Sequence, residues 1–422
     1  MKPSSTLRLR KLYVDRFKAL EQIELRIQGD FLVLIGPNGA GKSSVLQVLA
    51  FVHYFVQGKP DQFFSDRGWL ADDTRSISTG SPFFSIALLL ESDDGTSAVW
   101  HFSWGVRSGK TFRESLWIRE SGSADLFPLF RYKSQPGKLN LTNIGEKEIP
   151  GLNPNGSIMS VLEIAHLHPR FASILTAIQA WATGILSLEL LSPKEMRRGA
   201  RGGATDLGHR GERLAGFLSS LDPARKERLT RRLALFYPAL RTLETRRKRA
   251  GWIDLQLTES FSARQIGADH MSDGFMRLLA LVSIPEFGEN IRLVLLDEIE
   301  DGIDPHILTD LVEQIRRESA TQLIATSHSP LLVNLFDPKD VHFMTRSEEG
   351  MSITASFDEI EHVRKHLEYR GIGEIWAQTS LTSLSAWIRE AAASRMTKKT
   401  ADEELLVTRD TELSVKHFME GS

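Results

Sequence analysis

A short stretch at residues 31–44 constrains this chain of 422 residues more than any other feature. Five apolar residues, FLVLI, are followed at once by the glycine-rich stretch GPNGAGKSS and then by SSVLQVLAFVHYF, whose apolar residues recur at helical spacing. A continuous apolar run of this length predicts a buried strand, and the glycines predict a tight loop after it. The sequence therefore predicts a strand, a glycine loop and a helix in direct succession.

The loop matches the pattern G-x-x-x-x-G-K-[ST], in the strand-to-helix context that this pattern requires. In such a loop, backbone N–H groups surround a polyphosphate, Lys42 reaches its β and γ phosphates, and Ser43 offers a hydroxyl to Mg²⁺. The sequence predicts that these residues bind a nucleotide polyphosphate: Gly36, Pro37, Asn38, Gly39, Ala40, Gly41, Lys42, Ser43 and Ser44.

A pair of acids follows a second apolar strand. The run from Ile291 to Leu296 delivers Asp297 and Glu298 at its C-terminal end, which is the edge where open α/β sheets place their ligands. We expect Asp297 to complete the Mg²⁺ shell. Glu298 is then the residue expected to orient or deprotonate the water that attacks the γ-phosphate.

A histidine stands at the end of a third apolar strand, QLIATS. His328 is placed to bond a γ-phosphate oxygen or the attacking water. A structural histidine without a catalytic role is the alternative interpretation.

A capped helix provides one more phosphate-binding candidate. Ser272 is predicted to cap a helix from Asp273 to Ile284 that Pro285 closes, which leaves N–H groups and a positive dipole end beside Gly274. Read alone, this is also how an ordinary capped helix begins.

The order of these motifs, with Asp304 between the acidic pair and the histidine, resembles the nucleotide-binding domain of ABC-type ATPases. The segments FKAL, SDG, DEIEDGID and RGIGEIW resemble stand-alone members of the SMC/RecF-type group, close to the ATPase part of the overcoming-lysogenization-defect (OLD) family. The resemblance covers roughly residues 7 to 110 and 250 to 380. It implies a P-loop NTPase head of the α/β class, with ATP and Mg²⁺ as cofactors.

The resemblance also implies a dimer in which two heads enclose two nucleotides. Ser272 and Gly274 would then act on the nucleotide held by the other head, Asp304 matches the aspartate that communicates across the dimer, and His328 matches the switch histidine.

Two positions depart from the family pattern. Asp273 stands where transporters carry glycine, and no glutamine clearly matches the one that senses Mg²⁺, although Gln57 and Gln62 lie in the right region.

The organisation predicted around the motifs is α/β: a mixed sheet with flanking helices, an antiparallel β subdomain and a helical insertion. Two early strands and a meander at 82–119 precede a connector at 120–155 and a helical insertion at 156–240. The strands WIDLQL, IRLVLLDE, QLIATS and VHFMT alternate with helices, which favours a parallel sheet. We divide the chain into four segments: 1–119, 120–250, 251–360 and a helical tail, 361–422.

The insertion carries a basic segment. Residues 194–249 contain 16 Lys and Arg against six Asp and Glu, in a chain whose net charge is −2. Two interpretations fit equally: a surface that contacts a phosphate backbone, and the solvated face of amphipathic helices. Duplex DNA, RNA or an acidic protein are the candidate partners of the first.

Composition narrows the remaining function classes. The chain has no cysteine, which excludes disulfides, thiolate metal sites and a cysteine nucleophile, and no apolar run indicates a signal peptide or membrane span. We expect a cytoplasmic protein without membrane contact. OLD proteins usually carry a TOPRIM nuclease after the ATPase, but no such pattern follows here, so we expect a nuclease or toxin effector to be a separate chain.

Two functions fit these features. The first is an ATPase whose nucleotide-driven dimer controls an effector or acts on DNA, in anti-phage defence or DNA repair. The second is an ATP-bound scaffold that hardly hydrolyses ATP and sequesters an effector protein. A transporter motor is disfavoured by the SDG signature and the large insertion.

Overall fold

The computed structural model describes residues 6–134, 137–141, 145–149, 152–162, 169–367, 369–398 and 411–420. Contacts divide the chain into two units: unit 1 is Met1–Ile185 with Pro338–Ser422, and unit 2 is Leu186–Asp337. The four segments expected from the sequence are a different division, which stays a prediction. No helix among the described residues is both long and apolar enough to cross a membrane.

The N-terminal part of unit 1 is built on one antiparallel sheet. In chain order, this part contains β1 (Leu7–Asp15), β2 (Ile23–Arg26), β3 (Phe31–Ile35), α1 (Lys42–Val56), α2 (Pro60–Arg67), β4 (Phe83–Ser92), β5 (Ser97–Gly105), β6 (Lys110–Arg119), β7 (Leu126–Lys133), β8 (Lys138–Leu141), β9 (Gly145–Glu148) and α3 (Pro169–Thr183). Among the described residues, the sheet has eight strands in the order β2-β1-β4-β5-β6-β7-β8-β9. The early strands and the predicted meander are thus confirmed as neighbours in one sheet.

The segment 120–155 is not the connector that its content of Gly, Pro, Asn and Ser predicted. Strands β7, β8 and β9 lie within it, and each pairs antiparallel with the strand before it. Phe130 and Tyr132 are buried on β7. The prediction was wrong because the turn-forming residues lie between these strands, where hairpin connections need them.

Aromatic packing fixes helix α1. The Phe55 ring stacks on Phe102 of β5 with centroids 3.9 Å apart, and Phe51 contacts Phe84 and Trp104 at 5.1 and 5.4 Å. All five aromatic side chains are fully buried. Because α1 begins at Lys42, this packing also holds the end of the glycine loop in place.

Unit 2 combines short helices with two sheet regions. After β10 (Ile185–Ser187), which spans the boundary, it contains α4 (Pro193–Met196), β11 (Ala200–Arg201), α5 (Leu214–Ser220), α6 (Pro223–Phe236), β12 (Leu240–Arg247), β13 (Trp252–Glu259), β14 (Gln265–Gly267), α7 (Asp273–Ser283), β15 (Leu293–Leu296), α8 (Pro305–Glu318), β16 (Gln322–Thr326) and α9 (Pro330–Val333). The helices predicted at 273–284 and 305–318 are confirmed. The predicted insertion at 156–240 contains helices α3 to α6 and also β10 and β11.

The strands of unit 2 fall into two groups. β15 and β16 are parallel, as predicted. The strand WIDLQL is not part of that parallel set: as β13 it pairs antiparallel with β11, β12 and β14. The expectation of a single parallel set was wrong because strand-like sequence alone does not specify the pairing partner, and β12 and β13 are joined by a short hairpin.

The C-terminal part of unit 1 returns to strand β3. It contains β17 (Val341–Arg346), β18 (Ser352–Ser356), α10 (Glu361–His366), α11 (Ile372–Gln378), α12 (Leu381–Lys398) and α13 (Glu412–Glu420). β17 is parallel to β3 and antiparallel to β18. The first residues of the charged segment expected from Ala401, residues 401–410, lie outside the described residues.

Helix α13 covers the antiparallel sheet of unit 1. Val415 and Phe418 pack against Tyr13 and Trp117, and Lys11 Nζ donates to the carbonyl of Phe418 at 2.6 Å. These contacts join residues about 300 to 400 positions apart in the sequence.

Candidate functional site

The glycine loop of unit 1, residues 36–44, has a backbone that ordinary residues would strain. Gly36, Gly39 and Gly41 have φ angles of 137°, 75° and 103°. A Cβ atom built on Gly36 would lie 2.0 Å from the carbonyl oxygen of Met344 on β17. Glycine is therefore required at Gly36 for two reasons, the positive φ and the close approach of a neighbouring strand.

Lys42 closes this loop from inside. Its side chain is buried, and Nζ donates to the carbonyls of Gly36 at 2.8 Å and Pro37 at 3.1 Å. Ser43 and Ser44 lie half-buried in the first turn of α1. Because the N-cap residue Gly41 has no side chain, it does not occupy the first amides of the helix, and this end favours an anion.

The hairpin β17–β18 holds the outer side of the loop. Arg346 Nε donates to the carbonyl of Gly39 at 2.6 Å, and Ser352 Oγ donates to the carbonyl of Ala40 at 2.7 Å. In a trans peptide the N–H points away from the C=O, so the Ser352 bond also fixes the direction of the Gly41 N–H. Partial burial lowers the pKa of Arg346.

The acidic loop of unit 2, residues 297–304, begins directly after β15. Asp297 is half-buried and Glu298 is exposed. Thr326, the last residue of β16, donates its hydroxyl to Asp297 Oδ1 at 2.5 Å and accepts the backbone N–H of Glu298 at 2.8 Å. Glu298 has a φ of 48°, a left-handed conformation uncommon for a residue with a side chain.

The loop that follows β16 is bonded to the same acidic loop. The backbone N–H of His328 donates to Glu300 Oε1, and the imidazole is half-buried. His328 therefore lies beside the acidic loop, held there through its backbone N–H, and its contact with a γ-phosphate or the attacking water stays a prediction.

A cavity of about 230 Å³ within unit 2 opens beside the acidic pair. Asp297 and Glu298 line it together with Arg277 of α7 and Asp301, which form an ion pair at 2.6 Å. Glu189 lines it as well, so the cavity combines four acids with one cation that is already paired with one of them.

The SDG segment, residues 272–274, lies at the start of helix α7. Ser272 is its N-cap, as predicted, and its Oγ accepts the N–H of Phe275 at 3.1 Å. A Cβ on Gly274 would lie 2.7 Å from the carbonyl oxygen of Gly302, so this helix start packs closely on the acidic loop.

The unusual Asp273 has a specific partner. Arg197 forms an ion pair with its carboxylate and donates to the carbonyl of Met271 at 2.8 Å. The aspartate at this position thus ties the signature to the start of the basic segment.

Asp304 is the N-cap of α8. Its Oδ1 accepts the N–H of His306 at 2.9 Å, and the residue is exposed. The structure gives Asp304 this local role, and communication across a dimer stays a prediction.

Half of the basic residues at 194–249 have intramolecular partners. Arg232 is buried between Glu286 and Glu318, and Arg228 also reaches Glu286. Eight of the sixteen form ion pairs: Arg197, Arg198, Arg213, Arg225, Arg228, Arg231, Arg232 and Lys248. The basic residues that remain exposed are spread over this segment, and Arg246, Arg247 and Arg249 lie together at the β12–β13 hairpin.

The predicted residues thus form one group in each unit. Unit 1 holds residues 36–44, and unit 2 brings together Asp297, Glu298, His328, Ser272 and Gly274 around one loop, with Asp304 at its end. Residues with contacts to these groups that were not predicted include Thr326, Arg277, Glu300, Arg346 and Ser352. Of these residues, Arg277 is distinguished in the sequence, because it is the single charged residue in the apolar stretch GFMRLLALV.

The donors present fit a nucleotide polyphosphate with Mg²⁺. Residues 36–44 offer backbone amides, a helix N-terminus and an ammonium, all of which favour a polyanion. The Ser43 hydroxyl and the Asp297 carboxylate are oxygen ligands, which Mg²⁺ prefers, usually in combination with phosphate oxygens. In the part of the chain that the structure describes, no three acidic or histidine side chains form a ready-made metal cluster.

The sequence matches a family model described as "AAA domain, putative AbiEii toxin, Type IV TA system" over residues 31–147 and 262–334. These ranges include the glycine loop, the acidic loop and His328. No curated protein matches the sequence. The match supports a nucleotide-binding ATPase domain.

A solved structure is similar to the whole fold. It is described as the "SmcHead bound to the C-winged helix domain of ScpA", is 14% identical, and has a TM-score of 0.51 over 83% of this chain and 99% of that chain. The predicted fold class, a P-loop NTPase head of the ABC/SMC kind, is confirmed. The narrower resemblance to OLD proteins stays a prediction.

Proposed function

We propose that this chain is an Mg²⁺-dependent ATPase that forms a homodimer or higher homo-oligomer around ATP, and that the closing and opening of this assembly controls a separate effector. The observation that carries the proposal is the conformation of residues 36–44, with three glycines at positive φ and a buried Lys42. The family match and the acidic loop after β15 support it.

The predicted residues have different parts in the proposed reaction. The amides of residues 36–44 and the Lys42 ammonium bind and neutralise the β and γ phosphates. Ser43 and Asp297 would hold Mg²⁺, which supplies further neutralisation of phosphate charge when bound. Glu298 orients the attacking water and accepts its proton, and His328 bonds a γ-phosphate oxygen or this water.

The proposed assembly adds contacts from a second copy. Ser272 and Gly274 are the residues proposed to meet the γ-phosphate held by the partner copy, and Asp304 to signal across the interface. The effector, a nuclease or toxin, and a role in anti-phage defence or DNA repair rest on the family resemblance. Contact with nucleic acid is proposed for the exposed basic residues of 194–249, including the arginines of the β12–β13 hairpin.

The decisive experiment is steady-state ATP hydrolysis with Mg²⁺, comparing the natural chain with Glu298→Gln. We expect the substitution to lower turnover by at least about 100-fold while ATP still binds, because it removes the proton acceptor and keeps the phosphate-binding loop. Size-exclusion chromatography with ATP should show more dimer for the variant. Lys42→Ala is the control that loses ATP binding itself.

The outcome separates the two candidate functions. Turnover that is equal in the natural chain and in Glu298→Gln would contradict the ATPase assignment. If ATP binds in a Lys42-dependent manner but no Glu298-dependent turnover occurs with or without DNA, the scaffold that sequesters an effector is the better description.

A further inference from the structure

Thr326 contacts three consecutive residues of the acidic loop. Its hydroxyl donates to Asp297 Oδ1 at 2.5 Å and accepts the Glu298 N–H at 2.8 Å, while its carbonyl accepts the Ile299 N–H at 3.2 Å. The side chain is fully buried. One residue of β16 therefore fixes the start of the loop that follows β15.

The hydroxyl has a single possible orientation in this arrangement. A threonine hydroxyl carries one hydrogen, and here that hydrogen points at the Asp297 carboxylate, so only a lone pair faces the Glu298 amide. A β-branched residue in a strand has a restricted χ1 angle, which keeps the hydroxyl in place. The carboxylate of Asp297 and the peptide plane before Glu298 are thus held by the same atom.

Glu298 needs such a support. Its φ of 48° lies in the left-handed region, which a residue with a side chain adopts only when its surroundings favour it. The hydrogen bond from its N–H to Thr326 supplies that support on one side, and the bond between the Asp301 N–H and the Glu298 carbonyl, at 2.8 Å, supplies it on the other. The exposed Glu298 side chain takes its direction from this backbone.

We propose that Thr326 is the positioning residue of the acidic pair: its hydroxyl sets the direction of the Asp297 carboxylate and of the Glu298 backbone at once. The inference deepens the proposed function, on which its kinetic part rests. Without the hydroxyl, we expect Asp297 to hold Mg²⁺ less well and Glu298 to orient water less often.

The test compares three variants of the full chain. Thr326→Val keeps the shape of the side chain and removes the hydroxyl, whereas Thr326→Ser keeps the hydroxyl and removes the methyl group. Ser327→Ala is the matched control, because Ser327 is also buried, but its hydroxyl accepts the N–H of Ser329 at 3.0 Å, outside the acidic loop. If Thr326→Val does not fold, Thr326→Ala replaces it.

The first measurement needs no nucleotide. Amide hydrogen exchange at Glu298, read with residue-level fragmentation, should rise at least tenfold in Thr326→Val and stay within threefold in Thr326→Ser and Ser327→Ala. The amides of Val294 and Leu295, inside β15, serve as the internal reference and should not change.

The second measurement is Mg²⁺-dependent ATP turnover. In Thr326→Val we expect kcat to fall at least tenfold, the half-saturating Mg²⁺ concentration to rise several-fold, and KM for ATP to stay within twofold. Mn²⁺ binding in the presence of a non-hydrolysable ATP analogue, followed by electron paramagnetic resonance, should weaken in parallel. Thr326→Ser should restore all three values to within threefold.

Two results would overturn the inference. One is unchanged exchange at Glu298 together with unchanged Mg²⁺ dependence in Thr326→Val. The other is equal impairment of Thr326→Ser, which would show that the methyl group matters and the hydroxyl does not. Failure of the proposed function itself looks different, because Glu298-dependent turnover would then be absent from the natural chain while the exchange result still decides the role of Thr326.

Discussion

The two candidate site loops of this chain are stabilised by different parts of the polypeptide. In residues 36–44 of unit 1 the groups proposed to bind phosphate are backbone amides, and glycines with positive φ set the conformation of the loop. In residues 297–304 of unit 2 the groups that matter are carboxylates, and a hydroxyl from the neighbouring strand directs them. The first loop takes its shape mainly from its own glycines, whereas the second takes it from a residue 28 positions after Glu298.

This difference determines which substitutions each loop tolerates. A loop shaped by glycine is sensitive to any added Cβ and insensitive to the identity of the side chains that merely flank it. A loop directed by a hydroxyl is sensitive to loss of that hydroxyl, because the carboxylate of Asp297 and the backbone at Glu298 depend on it. Both loops share one property, since each is bonded by a strand that lies far away in sequence.

The largest expected effect is that of Gly36→Ala. A methyl group there would lie 2.0 Å from the Met344 carbonyl oxygen, and the φ of 137° is strained for a residue with a side chain. The loop would therefore have to move, and its N–H groups would no longer point toward the phosphates. We expect ATP affinity, measured by titration calorimetry, to fall by at least about 100-fold.

Gly39→Ala is the matched comparison for that result. A Cβ at Gly39 would have no atom within 4 Å, so only the strain of its φ of 75° remains and the loss of affinity should be clearly smaller. Equal losses for the two variants would contradict the role assigned to the Met344 contact.

An intermediate effect is expected for Ser352→Ala. The substitution removes the hydrogen bond to the carbonyl of Ala40, and such a bond is worth about 1 kcal/mol, so ATP affinity should fall roughly threefold to tenfold with kcat nearly unchanged. The control is Ser347→Ala, whose hydroxyl accepts a bond from Met351 inside the hairpin turn and does not contact the loop. A fall in kcat at unchanged ATP affinity would contradict the difference between the two loops, because an effect on turnover alone is what we expect of substitutions that affect the acidic loop.

The smallest effect on the reaction is expected from the substitution Glu114→Gln, which removes a third carboxylate, on β6. It is fully buried and accepts bonds from Trp100 Nε1 at 2.9 Å, Ser157 Oγ at 2.5 Å and the Ile158 N–H at 2.5 Å. Burial raises the pKa of Glu114 to about 7, although these three bonds lower it in part. Unlike Asp297 and Glu298, this acid lies in the interior of the antiparallel sheet's packing and serves the structure only.

The sign of the pH effect follows from that raised pKa. Between the ordinary pKa of a glutamate and about pH 7, the unfolded chain has released the proton while the folded chain keeps it, so the free energy of unfolding falls as pH rises. The contribution is fully present below the unfolded pKa and lost above about pH 7, with a slope of up to about 1 kcal/mol per pH unit. Denaturant titrations at pH 5 to 8 should show a shallower dependence for Glu114→Gln, and ATP turnover should not change. The same slope in the variant would assign the pH dependence to other groups.

The sequence predicts local features of this molecule better than pairings. Three features depend only on residues within a few positions of one another and are found as expected: the glycine loop, the helix N-cap Ser272 and the strand before Asp297. Strands β7 to β9 were missed because the turn residues between them outweighed their short apolar stretches. The pairing of β13 was wrong because it depends on β11 and β12, which a local pattern does not identify.

The same distinction applies to the site. Thr326 and Ser352 are ordinary strand residues in the sequence, and only the packing of distant strands gives them a carboxylate or a loop carbonyl to bind. Arg197 belongs to a stretch that reads as a basic surface, yet its guanidinium is used by Asp273 and Met271. Charge patterns in the sequence do not separate such internal partners from external ones.

The arrangement of the two units has a consequence for protein synthesis. Unit 2 is made of consecutive residues, so all of its internal contacts become available once residue 337 has left the ribosome. Unit 1 is made of two separate segments. Helix α13 packs on β1 and β7, and the Lys11 ammonium donates to the carbonyl of Phe418. The first strands to emerge therefore stay uncovered on this face until residues 412–420 have been made, which leaves apolar surface exposed during translation.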